Sequence, residues 1–493
     1  MDLSIVSWLQ QWRRPVPCVR NTPPLTGQQF PDSPPLDRSV QELPLFVQES
    51  AVAMRYYHLF SPIRWHRFPE RDLHQYRYRP PVPYAPFAAA CLIKLEETKP
   101  SFAKLRRYLV EHPPLLSLLG FPVVPSPNFH WGFDANASLP TTRHFTSMLR
   151  SVPNLVLQFL LDETVFRLHE ALQPYVQGFG QVISLDTKHI LACVKENNPK
   201  TFIEHRYDKN QQPAGDPDCR LGCKRKRNQH ASQYPEEAPP TPTQELHPAS
   251  NTSVGEYYWG YASGVVVTKI PGWAEIVLAE LTQPFNASDV SYFVPLMTDT
   301  ERRLGFRPRY GTFDAAFDAW YVYEHFHCNQ KPWTYAFAAV PWAKRGPKRE
   351  FDVLGLPLCK AGLPMPLKST FICKTRLVHH ERGRYGCPLL YPEPSADACP
   401  IHDKHWEKGG CTITMPTSIG ARIRHQIDRD SHLYKTLYNQ RSATERINSQ
   451  AKALGIERPK LRNGAAIANL NTLIYVLINL RALTRIQTKI ADM

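Results

Sequence analysis

The stretch Val182-Ile-Ser-Leu185 runs into Asp186 and continues apolar and β-branched towards Val194. A run of this kind reads as a buried strand with a carboxylate set into it. Tyr257 to Lys269 and Ala274 to Leu281 read as two more strands. Ser288 to Leu304 reads as a helix whose start is marked by Asn286-Ala-Ser288, and Tyr310 to Phe313 as a short strand ending at Asp314. Three strands, a helix, a fourth strand and further helices predict an α/β core.

A chain of 493 residues is too long for one ordinary core, so several units are expected around that sheet. Residues 1–50 form a proline-rich arm, densest in proline over 13–48. Residues 51–175 carry helical spacing, clearest at Phe87 to Ile93 and Phe102 to Leu109. The α/β core then takes residues 176–340 and 419–493. Its first two strands are separated by a polar, proline-rich stretch, 196–254, that reads as a long mobile loop. Residues 341–418 alternate Gly and Pro with strand-like runs such as Thr370 to Cys373, the pattern of a β-rich insertion.

Lys and Arg total 59 against 44 Asp and Glu, a formal charge of +15, which points to a polyanion and most simply to nucleic acid. Within the helical region Arg64, His66, Arg67, Arg71, Arg77 and Arg79 interleave with Trp65, Tyr76 and Tyr78. Such a mixture suits phosphate contact and base stacking, and equally a solvated helical surface. No stretch reads as a membrane span or a secretion signal, so a cytoplasmic protein without membrane contact is expected. The eleven cysteines are then expected as thiols or metal ligands, not disulfides.

The richest segment is Tyr438-Asn-Gln-Arg441-Ser-Ala-Thr-Glu445-Arg-Ile-Asn-Ser-Gln-Ala-Lys452. At about 100° per residue, Tyr438, Arg441, Glu445 and Lys452 fall within an arc of about 60°. Ala443, Ile447, Ala451 and Leu454 take the opposite side. An exposed helix would show the Arg441 and Glu445 pair as well, but not all four residues on one stripe. The pattern Y-x2-R-x3-E-x6-K resembles the signature of the bacterial insertion-sequence transposases of the DDE class. Ser184-Leu-Asp-Thr-Lys188 and Gly311-Thr-Phe-Asp-Ala-Ala-Phe-Asp318 resemble that family's two aspartate motifs, in the same order. The second motif departs from the family, with Phe313 and Ala315 where a small residue and Gly usually flank the Asp.

The resemblance implies a ribonuclease H-like catalytic core, interrupted by the β-rich insertion and preceded by a helical DNA-binding region. It implies Asp186, Asp314 and Glu445 as catalytic metal ligands, with Asp314 preferred to Asp318 because a strand end holds a ligand more rigidly than the next turn. The oxygen donors imply Mg²⁺ or Mn²⁺, and a two-metal cleavage and joining of double-stranded DNA at transposon terminal repeats and target. Tyr438, Arg441 and Lys452 are implied as DNA contacts, with a homodimer as the active assembly. Trp333, Trp342 and Trp406 are candidates to stack on a flipped base. In the insertion, Cys387, Cys399, His402, His405 and Cys411 are candidate ligands of a structural Zn²⁺, although C-x11-C-x2-H-x2-H-x5-C is no standard finger. Cys219 and Cys223 precede the basic run Lys224 to Arg227, read as a DNA-backbone contact. A ribonuclease H-like nuclease without strand transfer and a non-catalytic DNA-binding descendant of a transposase are the competing readings.

Overall fold

The computed structural model describes residues 35–71, 82–225, 255–327, 336–342, 348–374 and 378–493. Most of the proline-rich arm, residues 226–254, Tyr76, Arg77, Tyr78, Arg79 and Trp333 lie outside the described residues, as do the side chains of the basic run Lys224 to Arg227.

The protein is mixed α/β around a mixed sheet. The strands are β1 (Val182–Leu191), β2 (Arg220–Arg225), β3 (Gly255–Ile270), β4 (Ala274–Pro284), β5 (Tyr310–Thr312) and β6 (Phe337–Ala339). The spatial order is β2-β3-β1-β5-β6, with β4 also paired to β3. Pairs β1/β3, β2/β3 and β3/β4 are antiparallel, whereas β1/β5 and β5/β6 are parallel. Parallel pairing needs a crossover, and it is supplied by α7 (Phe293–Leu304) before β5 and α8 (Trp320–Phe326) before β6.

Helices cover both faces of the sheet. Before the sheet come α1 (Ala51–Phe60), α2 (Tyr84–Glu96), α3 (Phe102–Val110), α4 (Pro113–Leu118), α5 (Thr142–Ser151) and α6 (Asn154–Leu172). After it come α9 (Ile419–Gln426), α10 (His432–Tyr438), α11 (Ser442–Ala453) and α12 (Gly464–Ala491). One core joins α1 to α6 with α11, α12 and residues such as Val265, Val267 and Ile190 of the sheet. A second lies on the opposite face, where Ile183, Leu185, Val266 and Leu278 meet α7 and α8.

The helical region before residue 175 is therefore not a separate globule; it shares its core with the sheet. Glu163, buried on α6, takes two hydrogen bonds from Arg64 at 2.7 and 2.6 Å. Trp65 is buried and donates its indole N–H to the Phe60 carbonyl at 3.0 Å. Arg106 donates to the Pro140 and Ala135 carbonyls. These residues hold helices together, while Arg67, Lys104 and Arg107 remain exposed.

Helix α12 is the one helix among the described residues long and apolar enough to cross a membrane, and 83% of its apolar window is buried inside the protein. Its interior asparagines explain why it sits against a sheet. Asn479 accepts from the Val277 N–H at 2.9 Å and donates to the Val277 carbonyl at 2.8 Å. Val277 borders the register shift where β4 slips against β3, so the amide side chain replaces bonds that the irregular ladder cannot make.

The stretch 196–254 corrects the expectation of one long loop. Residues up to 225 are built onto the sheet, and only 226–254 lie outside the described residues. Asn197 exchanges bonds with the Trp259 backbone at 2.7 and 2.9 Å, and buried Asp216 accepts from the Tyr261 hydroxyl at 2.7 Å. Asp218 accepts from Asn463 and from the Gly464 N–H, both at 3.0 Å, which fastens the segment to the start of α12. A polar composition here marks side chains that satisfy backbone groups, not freedom.

Residues 341–418 include a separate antiparallel sheet, β7 (Leu367–Cys373), β8 (His380–Tyr385) and β9 (Ile413–Pro416). Its buried apolar cluster is small: Met365, Tyr385, Met415 and Ala421.

Candidate active site

Strands β1 and β5 pair in parallel, Ser184 beside Thr312. The Ser184 and Thr312 hydroxyls are 2.7 Å apart, which fixes the face they share. Side chains two residues on return to that face, so Asp186, within β1, and Asp314, just past the end of β5, are neighbours. Register and alternation bring the two motifs together.

The residues flanking Asp314 explain the departure at the second motif. Phe313 alternates to the opposite face and is fully buried, 5.6 Å from Phe293 and 5.8 Å from Phe326 between ring centres. A Cβ at Gly311 would collide with the Phe313 and Phe326 rings, so the bulky residue at 313 requires glycine two positions earlier. After the strand, Ala315–Phe317 forms a 3₁₀ turn capped by Asp314, whose carboxylate accepts the Ala316 N–H at 2.9 Å. This turn needs no left-handed residue, so alanine is accommodated after Asp314.

Asp318 is withdrawn from the site. Its side chain is 1% exposed and is held by the Arg424 guanidinium at 2.6 and 2.5 Å and by the Tyr323 hydroxyl at 2.7 Å.

Burial raises the Asp186 carboxyl to about 6. The Thr187 backbone N–H and Arg441 pull it down, while Asp314 and Asp289 push it up. Asn448 of α11 donates to Asp186 at 3.3 Å. Asp289 accepts from the Thr187 hydroxyl at 2.8 Å; since Thr187 points away from Asp186 by strand alternation, this third carboxylate lies across the sheet.

The Tyr438 to Lys452 segment is not one α-helix, which corrects the stripe. Helix α10 ends at Tyr438, Asn439–Arg441 is a 3₁₀ turn, and α11 starts at Ser442. A 3₁₀ turn winds roughly 120° per residue, so Tyr438 falls out of phase with the rest. It stacks on Tyr434 of its own helix, ring centres 5.9 Å apart. Arg441 and Glu445 do pair, at 2.6 Å. The arginine side chain is 13% exposed and the glutamate 56%. Arg441 thus sits inward, where its charge reaches Asp186, and Glu445 rides outside it.

Lys452 lies seven residues beyond Glu445, roughly 10 Å along the axis. Its ammonium is 3.5 Å from Glu457, whose other oxygen is 2.6 Å from Lys188. Lys188 is two residues beyond Asp186 and so on its face of β1. Burial works against the Glu457 charge, but Lys188 and then Lys452 hold its carboxyl below the usual range. The site therefore has an acidic end at Asp186 and Asp314 and a cationic end at Lys188 and Lys452. Strand alternation alone could have found Lys188, and the helical wheel could have found Asn448; Asp289 and Glu457 leave no local signal.

Among the described residues no three His, Cys, Asp or Glu side chains are gathered closely enough to hold a metal ion. The donor chemistry nonetheless fits a hard cation. Asp186 and Asp314 are oxygen donors side by side, and Asp314 makes the Asp186 charge costly. Glu445 can join them only by leaving Arg441.

The structure brings part of the candidate zinc set together. Cys387, Cys399 and Cys411 line one small cavity, but the fourth cysteine there is Cys359. His402 and His405 are exposed and take no part in its lining. Trp342 lies 4.2 Å from the Arg424 guanidinium and beside His425, in the network around Asp318. Trp406 belongs to a 3₁₀ turn of the insertion. No protein-family model matches the chain, and no curated protein matches it.

Proposed function

We propose that the protein is a DNA transposase of the DDE class, which cleaves transposon ends and joins them to target DNA. The observation that carries this reading is the adjacency of Asp186 and Asp314 on one face of a parallel strand pair, beside Arg441 and Glu445. Strands β1, β3 and β4, then a helix and parallel β5, follow the order a ribonuclease H-like core requires, which supports that assignment of the fold.

Asp186 and Asp314 would hold Mg²⁺ or Mn²⁺, with Glu445 completing the set once DNA draws Arg441 away. Held by these carboxylates, two such ions would supply activation of the attacking oxygen and charge stabilisation of the leaving one for an in-line phosphoryl transfer. The protein's part is positioning. Asn448 orients Asp186, while Arg441 has the length and charge to take a phosphate in place of Glu445. Lys188 and Lys452 are masked by Glu457, and a DNA phosphate can replace that carboxylate. Tyr438, at the end of α10, is proposed as a further DNA contact, and the charge of +15 supplies the sequence-independent attraction to double-stranded DNA. A homodimer holding two ends is proposed as the active assembly.

A strand-transfer assay with Mg²⁺ and the terminal inverted repeats that the proposal expects beside the gene tests it. Wild-type protein should cleave and join these ends, and Asp186→Asn or Glu445→Gln should bind them without cleaving. Cleavage without joining would establish the nuclease reading instead. Binding without cleavage by the wild type would establish a non-catalytic descendant.

A further inference from the structure

Four cysteines separated by long intervals, C-x27-C-x11-C-x11-C, converge in the insertion. Cys359, Cys387, Cys399 and Cys411 line one cavity of about 10 Å³ in the company of Asp403. A space of that size takes a single atom-sized guest. All four thiols are free, and Cys387 is buried.

The backbone around them is built to bring sulfurs inward. Cys359, Cys387 and Cys399 each head a tight turn, their carbonyls accepting from the N–H of Gly362 at 3.0 Å, Leu390 at 3.2 Å and His402 at 3.0 Å. Gly362 has φ +74°, the left-handed conformation that closes the first turn without strain. Two more left-handed glycines, Gly409 (φ +90°) and Gly410 (φ +80°), turn the chain back just before Cys411. At Gly410 a Cβ would press on Cβ and Sγ of Cys387, at 2.5 and 3.0 Å. Only glycine lets these two strands of chain approach closely enough for Cys411 to meet Cys387.

The cluster is poorly explained as packing. Among the described residues the surrounding sheet has only a small core. Strand β7 is exposed along almost its whole length, including Phe371 and Ile372, and four residues make up the fully buried apolar cluster. Units with so little apolar burial are commonly stabilised by a structural metal.

We infer that Cys359, Cys387, Cys399 and Cys411 bind one structural Zn²⁺ as a four-thiolate site, and that His402 and His405 are not ligands. Binding displaces the thiol protons to solvent and must draw the sulfurs, which line the cavity but are not yet gathered closely enough to hold an ion, from its wall to the metal. The site is independent of the carboxylate chemistry, because it rests on separate residues and its readout is metal content.

The full-length wild-type protein, purified without chelator, should carry one zinc per chain by elemental analysis. Zinc-edge X-ray absorption should show four sulfur neighbours at ~2.3 Å and no nitrogen. The double variant His402→Ala/His405→Ala, altered only at exposed positions, should keep its full zinc. Cys359→Ser should lose most of it. Should Cys359→Ser be insoluble, the wild-type spectrum and the histidine variant still decide the matter. A wild-type protein that takes up no zinc with its thiols reduced, a nitrogen in the zinc shell, or loss of zinc from the histidine variant would overturn the inference.

Discussion

Replacing Asp186 with Asn should make the metal-free protein more stable. The carboxyl is raised from 3.8 to about 6 by burial and by Asp314 beside it. At neutral pH the folded protein must hold this group ionised. The penalty is about 1.36 kcal/mol for each pH unit between those two values, so about 3 kcal/mol in all. Asn keeps the shape and an oxygen to accept from Asn448, and removes the charge. For a chain of 493 residues unfolding as one unit, entropy scaling gives ~1 °C per kcal/mol, hence a rise in Tm of ~3 °C. The sign follows from proton binding. Between pH 3.8 and about 6 the folded state holds a proton that the unfolded state has lost, so wild-type stability falls as pH rises through that window. The advantage of Asp186→Asn should be full above pH 6 and vanish towards pH 4. Thermal unfolding in EDTA across pH 4 to 8 measures it, and added Mg²⁺ should stabilise only the wild type. If Asp186→Asn is no more stable at pH 7.5, or its advantage is the same at pH 4, burial and Asp314 do not penalise the Asp186 charge.

The neighbouring aspartates should separate by phenotype. Asp314→Asn should fold normally and fail to cleave DNA, whereas Asp318→Ala should lose about 3–5 kcal/mol in urea unfolding, because the Arg424 charge loses its buried partner; the opposite order would reassign the second ligand. If Lys452 takes a DNA phosphate as proposed, Lys452→Ala removes a contact worth about 1.5–3 kcal/mol, so strand transfer should slow on the order of 10- to 100-fold, with metal binding unchanged; wild-type rates would make that lysine structural. Deleting residues up to 172 should leave an unfolded chain by circular dichroism, since α1 to α6 share a core with α12; a folded fragment would show the sheet to be self-sufficient.

Several features were legible in the sequence because they depend on local pattern. The apolar runs at Val182 and Tyr257 mark strands, and the run from Phe87 marks a helix, since side-chain period follows from backbone geometry within a few residues. Asp186 was legible as a carboxylate set into a strand, and Asp314 as one at a strand's end, for the same reason. The pairing of Arg441 with Glu445 needs only four residues of helix. Lys188 was within reach of the same reasoning.

What the tertiary structure decided involves partners far apart in the chain. Asp318 reads like Asp314 until Arg424, more than a hundred residues on, takes its carboxylate. The polar stretch from 196 to 225 reads as loose because its anchors, Trp259, Tyr261 and Gly464, are distant. The stripe from Tyr438 to Lys452 assumes one winding, and three residues of 3₁₀ turn suffice to break its phase. Proximity in sequence favoured His402 and His405 as partners for the cysteines. The fold puts Cys359 there instead, because turns and left-handed glycines, not spacing, determine which side chains face a common point.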